Sequence, residues 1–130
     1  MDFEALSKDP TTTWKFVIEH PGPWHDDLLS KNIPLSELPY LIKAGRAGFF
    51  YMSCRTDMTW QFVQDNPGSW INELLSIYLS LSELLHLIKA GIADFYHMSY
   101  NKHMTWQFVQ DNPGSWNMKK ISKRFSQMKE

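Results

Sequence analysis

The sequence predicts an all-α fold, a solenoid of about five short helix hairpins. Three observations carry that expectation. The segment Met58–Trp70 returns letter for letter at Met104–Trp116, 46 residues later, and a diverged copy precedes it at Thr13–Trp24. A second segment, Leu35–Gly45, returns 46 residues later at Leu81–Gly91. In both kinds of segment apolar residues fall at i, i+3 and i+4 between helix starts and helix stops, over stretches too short to bury their own apolar face. Stacking each hairpin on the next buries that face, which is how solenoids are built.

Residues 1–10 read as a lead-in, with Phe3 and Leu6 available to pack as a cap and Asp9 pushed out of helix by Pro10. Thr12 or Thr13 then caps a short helix through Trp14, Phe16, Val17 and Ile18. Pro21, Gly22 and Pro23 end it. A second helix is expected from about Trp24 through Leu29 and Ser30, with Asp26 and Asp27 in its first turn, where the helix dipole favours negative charge.

The alternate unit is marked at both ends. Ser36 is the expected N-cap, Pro39 fits the first turn, and Gly45 suits a left-handed residue after the helix. Phe49 to Met52 then form an aromatic-led helix ending near Ser53, and Phe95 to Met98 repeat it. Both units share one plan: a capped helix, a Gly or Pro stop, a second helix, then serine. The 46-residue period therefore divides into half-repeats of about 23, at 11–33, 34–56, 57–79, 80–102 and 103–125, ten helices in all.

At Pro21–Trp24, Leu29–Asn32, Asn66–Trp70 and Leu75–Ser76 the chain resembles the tryptophan-rich short helical repeat proteins of giant amoeba-infecting DNA viruses. Thr59-Trp60 with Asn66-Pro67, and Thr105-Trp106 with Asn112-Pro113, match the start of that repeat. Met98–Asn101 matches its end. The spacing between proline and the second tryptophan is shorter here, and the Leu-Ile-Lys-Ala-Gly units lack tryptophan. The resemblance implies an α-helical repeat of viral origin, in host cytoplasm or virion, and assigns no activity and no functional residue. Leu87–Asp94 also resembles the end of an ankyrin repeat, a poorer match because the period is 46 and the Thr-Pro-Leu-His start is missing.

Composition narrows the function classes. With 43% hydrophobic and 15% aromatic residues the chain folds rather than staying disordered. No apolar run approaches the roughly 18 residues of a membrane span. Cys54 is the only cysteine, which excludes an internal disulfide and fits a reducing compartment, so the cytoplasm is expected. The histidines lack zinc-ligand spacing, no nucleophile–base pattern or phosphate loop is present, and neither a metal nor a cofactor is expected. Residues 1–116 hold 8 Lys/Arg against 13 Asp/Glu, a net −5, whereas residues 117–130 carry a net +4.

These features point to a non-catalytic protein-interaction or structural module. Six tryptophans at repeat spacing read as packing between hairpins. A partner surface is expected where copies differ, at Arg46, Arg55, Ile77 and Tyr78, with a second cluster at Lys119, Lys120, Lys123 and Arg124. The partner is another protein or a second copy of the chain. The basic segment 117–130 reads either as the polar cap a terminal repeat requires or as an amphipathic helix for an acidic partner, nucleic acid or membrane surface.

Overall fold

The computed structural model describes residues 1–126 and is all-α over that range. Eleven α-helices follow one another among the described residues: α1 Phe3–Lys8, α2 Trp14–Glu19, α3 Asp26–Asn32, α4 Leu38–Lys43, α5 Phe49–Ser53, α6 Trp60–Asp65, α7 Asn72–Tyr78, α8 Leu81–Lys89, α9 Phe95–Met98, α10 Trp106–Asp111 and α11 Met118–Arg124. A 3-10 turn, Leu35–Glu37, leads into α4.

The helices form two series. The odd-numbered ones begin at residues 3, 26, 49, 72, 95 and 118, each 23 after the last. Within this series α1 packs on α3, α3 on α5, α5 on α7 and α7 on α9. One apolar position of the series is fully buried from α3 to the end: Leu29, Met52, Leu75, Met98 and Ile121. The even-numbered helices complete the core with Val17, Leu38, Leu41, Val63, Leu84, Leu87, Phe108 and Val109. Burying each such side chain contributes about 1.5–3 kcal/mol, which is how helices of six or seven residues, unstable alone, persist.

A serine ties each odd-numbered helix to the next. Ser7, Ser30, Ser53, Ser76 and Ser99 are all buried, and each hydroxyl donates to the carbonyl four residues back in its own helix, at 2.6–3.0 Å. Each also accepts the backbone N–H 18 residues ahead, from His25, Gly48, Ile71, Asp94 and Asn117, at 2.8–3.1 Å. Those five residues are the N-caps of α3, α5, α7, α9 and α11. An N-cap N–H has no acceptor within its own helix, so the preceding helix supplies it.

The caps follow the expected chemistry in most places. Thr13, Thr59 and Thr105 accept from the backbone N–H of Phe16, Phe62 and Phe108 at 3.1–3.2 Å. Gly45 and Gly91 adopt φ of +72° and +75°. Arg46 N–H reaches Leu41 O and Ile92 N–H reaches Leu87 O, closing a Schellman turn after α4 and after α8.

Two expectations need correction. Residues 1–10 are more than a lead-in, because Phe3–Lys8 is a full member of the odd-numbered series, capped by Asp2. This brings the helix total above ten. Ser36 is not a cap; it lies within the 3-10 turn that follows Pro34. That turn aims the Glu37 carboxylate at the Trp14 backbone N–H, 3.0 Å away, and Glu83 receives Trp60 N–H in the same way.

Candidate functional site

The tryptophans build joints. In each exact or diverged copy the second tryptophan donates its indole N–H to the residue that ends the preceding helix: Trp24 to His20 O, Trp70 to Asn66 O and Trp116 to Asn112 O, at 2.8–2.9 Å. The carbonyl at the end of a short helix lacks an intrahelical donor, so this bond closes the Pro-Gly turn. Two phenylalanines meet each of these indoles edge to face. Phe3, Phe49 and Phe95, which open odd-numbered helices, lie 4.9–5.2 Å away by ring centroid. Phe16, Phe62 and Phe108, from the preceding even-numbered helices, lie 6.0–6.3 Å away. A Cβ on Gly68 would enter the Phe49 ring, so this turn takes no larger residue without repacking. Trp116 is buried, while the other five tryptophans are half-buried and pack against the core.

His20 and the two asparagines equivalent to it do one job. Asn66 and Asn112 donate side-chain N–H to Phe62 O and Phe108 O at 2.8–2.9 Å, and His20 Nδ1 contacts Phe16 O at 2.9 Å. His97 Nδ1 is buried 3.0 Å from Asp94 Oδ2, and the other carboxylate oxygen accepts the His97 backbone N–H at 3.0 Å. Cys54 is half-buried, and burial pushes its thiol up against the opposing effect of Lys31, which leaves less thiolate than an exposed cysteine has. Among the described residues no group of three or more His, Cys, Asp and Glu side chains converges as a metal site requires. None of the described helices is long and apolar enough to cross a membrane.

The residues expected to form a partner surface separate into three places. Arg46 holds Asp26 through Nε and Nη2 at 3.0 and 2.8 Å and lies over the Trp14 ring. Arg55 is internal and is withdrawn from the surface: only 6% of it is exposed. Its Nη1 donates to Ser30 O at 3.1 Å, and Nε and Nη2 grip both oxygens of Asp57 at 2.9 Å. A buried guanidinium is tolerable because its donors are matched. Asn101 Nδ2 and Arg124 Nη1 repeat the contact 25 residues back, to Ser76 O and Ser99 O. Arg124 is therefore half-committed to the fold.

The third place is a cleft with Lys120 close by. Ile77 and Tyr78 line a cleft of about 290 Å³ with Thr56, Tyr100 and Lys102. Lys120 Nζ sits 5.3 Å above the Tyr100 ring, and Asn117 Nδ2 donates to the Tyr100 hydroxyl at 3.0 Å. Tyr96 lies beside Tyr100, and hydrogen bonding to Tyr100 holds the Tyr96 phenol above the usual tyrosine range. Lys119 and Lys123 are exposed on the same helix as Lys120. Thr56, Tyr100 and Lys102 are the members sequence reasoning missed. For Tyr100 the signal was present, since Cys54, Ile77, Tyr100 and Lys123 occupy one position of the 23-residue period.

No protein-family model, curated protein or solved structure matches this chain.

Proposed function

We propose that this chain is an α-helical solenoid of 23-residue units that serves as a non-catalytic protein-interaction scaffold. The observation that carries the reading is the five-fold recurrence of the serine contact, each helix of the odd series being joined to the next by the same N-cap-to-serine hydrogen bond. Units that contact only their neighbours make an extended surface on which side chains vary without disturbing the joints. The resemblance to viral tryptophan-rich repeats supports a role in host cytoplasm or virion.

The partner surface is the cleft around Ile77, Tyr78 and Tyr100, edged by Lys102 and Lys120. Tyrosine offers large, rigid contact area at low entropic cost, which is the chemistry of interface anchors. A photo-crosslinking residue at position 100 should capture one discrete partner, and the same residue at Tyr40, which is 52% exposed elsewhere, should not. Identical crosslinks from both positions would count against the cleft. The exposed Lys119 and Lys123 favour a second reading, binding of nucleic acid or another anionic surface through α11. A salt-dependent gel shift that survives removal of residues 117–130 would refute that alternative.

A further inference from the structure

The two ends of the helix series carry opposite charge. Around α1 lie Asp2 and Glu4, both exposed, and the half-buried Asp9, together with the exposed Lys8, whose Nζ lies 3.8 Å from Glu4. On α11 lie the exposed Lys119 and Lys123 and the half-buried Arg124. Each end also shows an apolar side chain to solvent, Met1 at 70% and Met118 at 52% exposure.

The register of these residues is informative. Three full 46-residue periods carry α1 of one copy to the place that follows α11 of another. In that register α11 corresponds to α3 and α7, and α1 corresponds to α5 and α9. The correspondence extends to detail. Phe3 opens α1 as Phe49 opens α5 and Phe95 opens α9. Asp2 caps α1 by accepting Ala5 N–H at 3.0 Å, as Asp94 caps α9 by accepting His97 N–H at 3.0 Å. Met118 falls where Asp26 and Asn72 stand, and Met1 where Ala47 and Ala93 stand, so polar and small residues inside the series become two methionines at its ends. Lys119 falls where Glu73 stands and Glu4 where Tyr96 stands, two residues that line one cleft. Lys123 and Arg124 fall where Ile77 and Tyr78 stand, and Asp9 falls where Asn101 stands, whose Nδ2 donates to Ser76 O and Leu79 O on either side of that pair.

We propose that the chain associates head to tail, α11 of one copy docking on α1 of the next in this register. The contact reproduces the α3–α5 and α7–α9 packing, adds two apolar side chains, and matches Lys119 with Glu4 and the α11 cations with Asp9. Because the two surfaces differ, the association is heterologous and adds copies in line unless it closes into a ring. The proposal rests on the solenoid reading above.

Sedimentation equilibrium over a concentration series at low and high salt tests it. The wild-type protein should associate progressively, and less at high salt, because exposed charges contribute. Lys119→Glu and Glu4→Lys alter exposed positions and should fold. Each alone opposes like charges and should weaken association about tenfold. An equimolar mixture of the two should recover it, since each reversed end meets its complement on the other variant. Met118→Asp should weaken association by at least as much as either reversal. A wild-type protein that stays monomeric at millimolar concentration in low salt overturns the proposal, as do reversals that change nothing or a mixture that does not recover. Small-angle scattering on the dilute monomer separates the two claims. An elongated particle that never associates overturns the head-to-tail contact alone, whereas a compact particle overturns the solenoid reading as well.

Discussion

Replacing Ser76 with alanine should remove one joint between neighbouring units and leave the rest. The hydroxyl is fully buried and makes two contacts, donating to Asn72 O at 2.8 Å and accepting Asp94 N–H at 3.0 Å. Their loss is unequal. Asn72 O lies in the first turn of α7, where it is the helical acceptor for the backbone N–H four residues on, so it keeps a partner in the variant. Asp94 N–H precedes α9 and has no other acceptor, and a buried orphaned donor costs about 1–3 kcal/mol. Alanine recovers about 0.5 kcal/mol through its better helix propensity. The net expectation is a loss of about 1–2 kcal/mol, read by urea unfolding followed through tryptophan fluorescence. Ser82→Ala, at an exposed serine, is the control and should fall within about 0.5 kcal/mol of wild type. Equal stabilities for the two variants would refute the view that the buried serines hold successive helices together.

Gly91→Ala tests the left-handed turn after α8. The added Cβ would meet nothing within 4 Å, so the whole cost is conformational, about 1–2 kcal/mol by the same unfolding assay. Trp70→Phe keeps an aromatic ring near Phe49 and Phe62 but deletes the bond to Asn66 O, and should cost about 1–2 kcal/mol with little change in helicity by circular dichroism. Asp57 gives a pH dependence of known sign. Side-chain hydrogen bonds from Arg55 hold its carboxyl below the usual range, outweighing burial, so its stabilisation is present above about pH 4 and is lost as pH falls through the lowered value. Asp57→Asn should therefore be less stable than wild type at pH 7, by about 0.5–1 kcal/mol because Asp57 is largely exposed, with the gap closing toward pH 2.

Much of the helical plan was legible because local chemistry decides it. Thr13, Thr59 and Thr105 cap helices through their own side chains, and Gly45 and Gly91 satisfy a backbone demand that few other residues meet. Where distant contacts decide, sequence reading failed. Ser36 lies in a 3-10 turn after Pro34, and the neighbouring Glu37 bonds the Trp14 N–H, 23 residues away. Arg55 varies between copies, which suggested a surface role, yet its side chain reaches 25 residues back to Ser30 O, and no local pattern announces that. The helical character of Phe3–Lys8 was available in the Phe3–Ser7 spacing, which Phe49–Ser53 and Phe95–Ser99 share, but the segment precedes the obvious repeats. Of the candidate surface, Ile77 and Tyr78 were found by their differences between copies, whereas Thr56, Tyr100 and Lys102 join them only through packing of neighbouring units.

Amide hydrogen exchange at His25, Gly48, Ile71, Asp94 and Asn117 tests the account most directly. These are N-cap amides, which have no acceptor in their own helix and exchange fast when solvent reaches them. Bonded to Ser7, Ser30, Ser53, Ser76 and Ser99, all five should exchange slowly, and Ser76→Ala should release Asp94 more than the other four. Fast exchange at these five amides in a protein whose helix interiors remain protected would contradict the serine-linked stack.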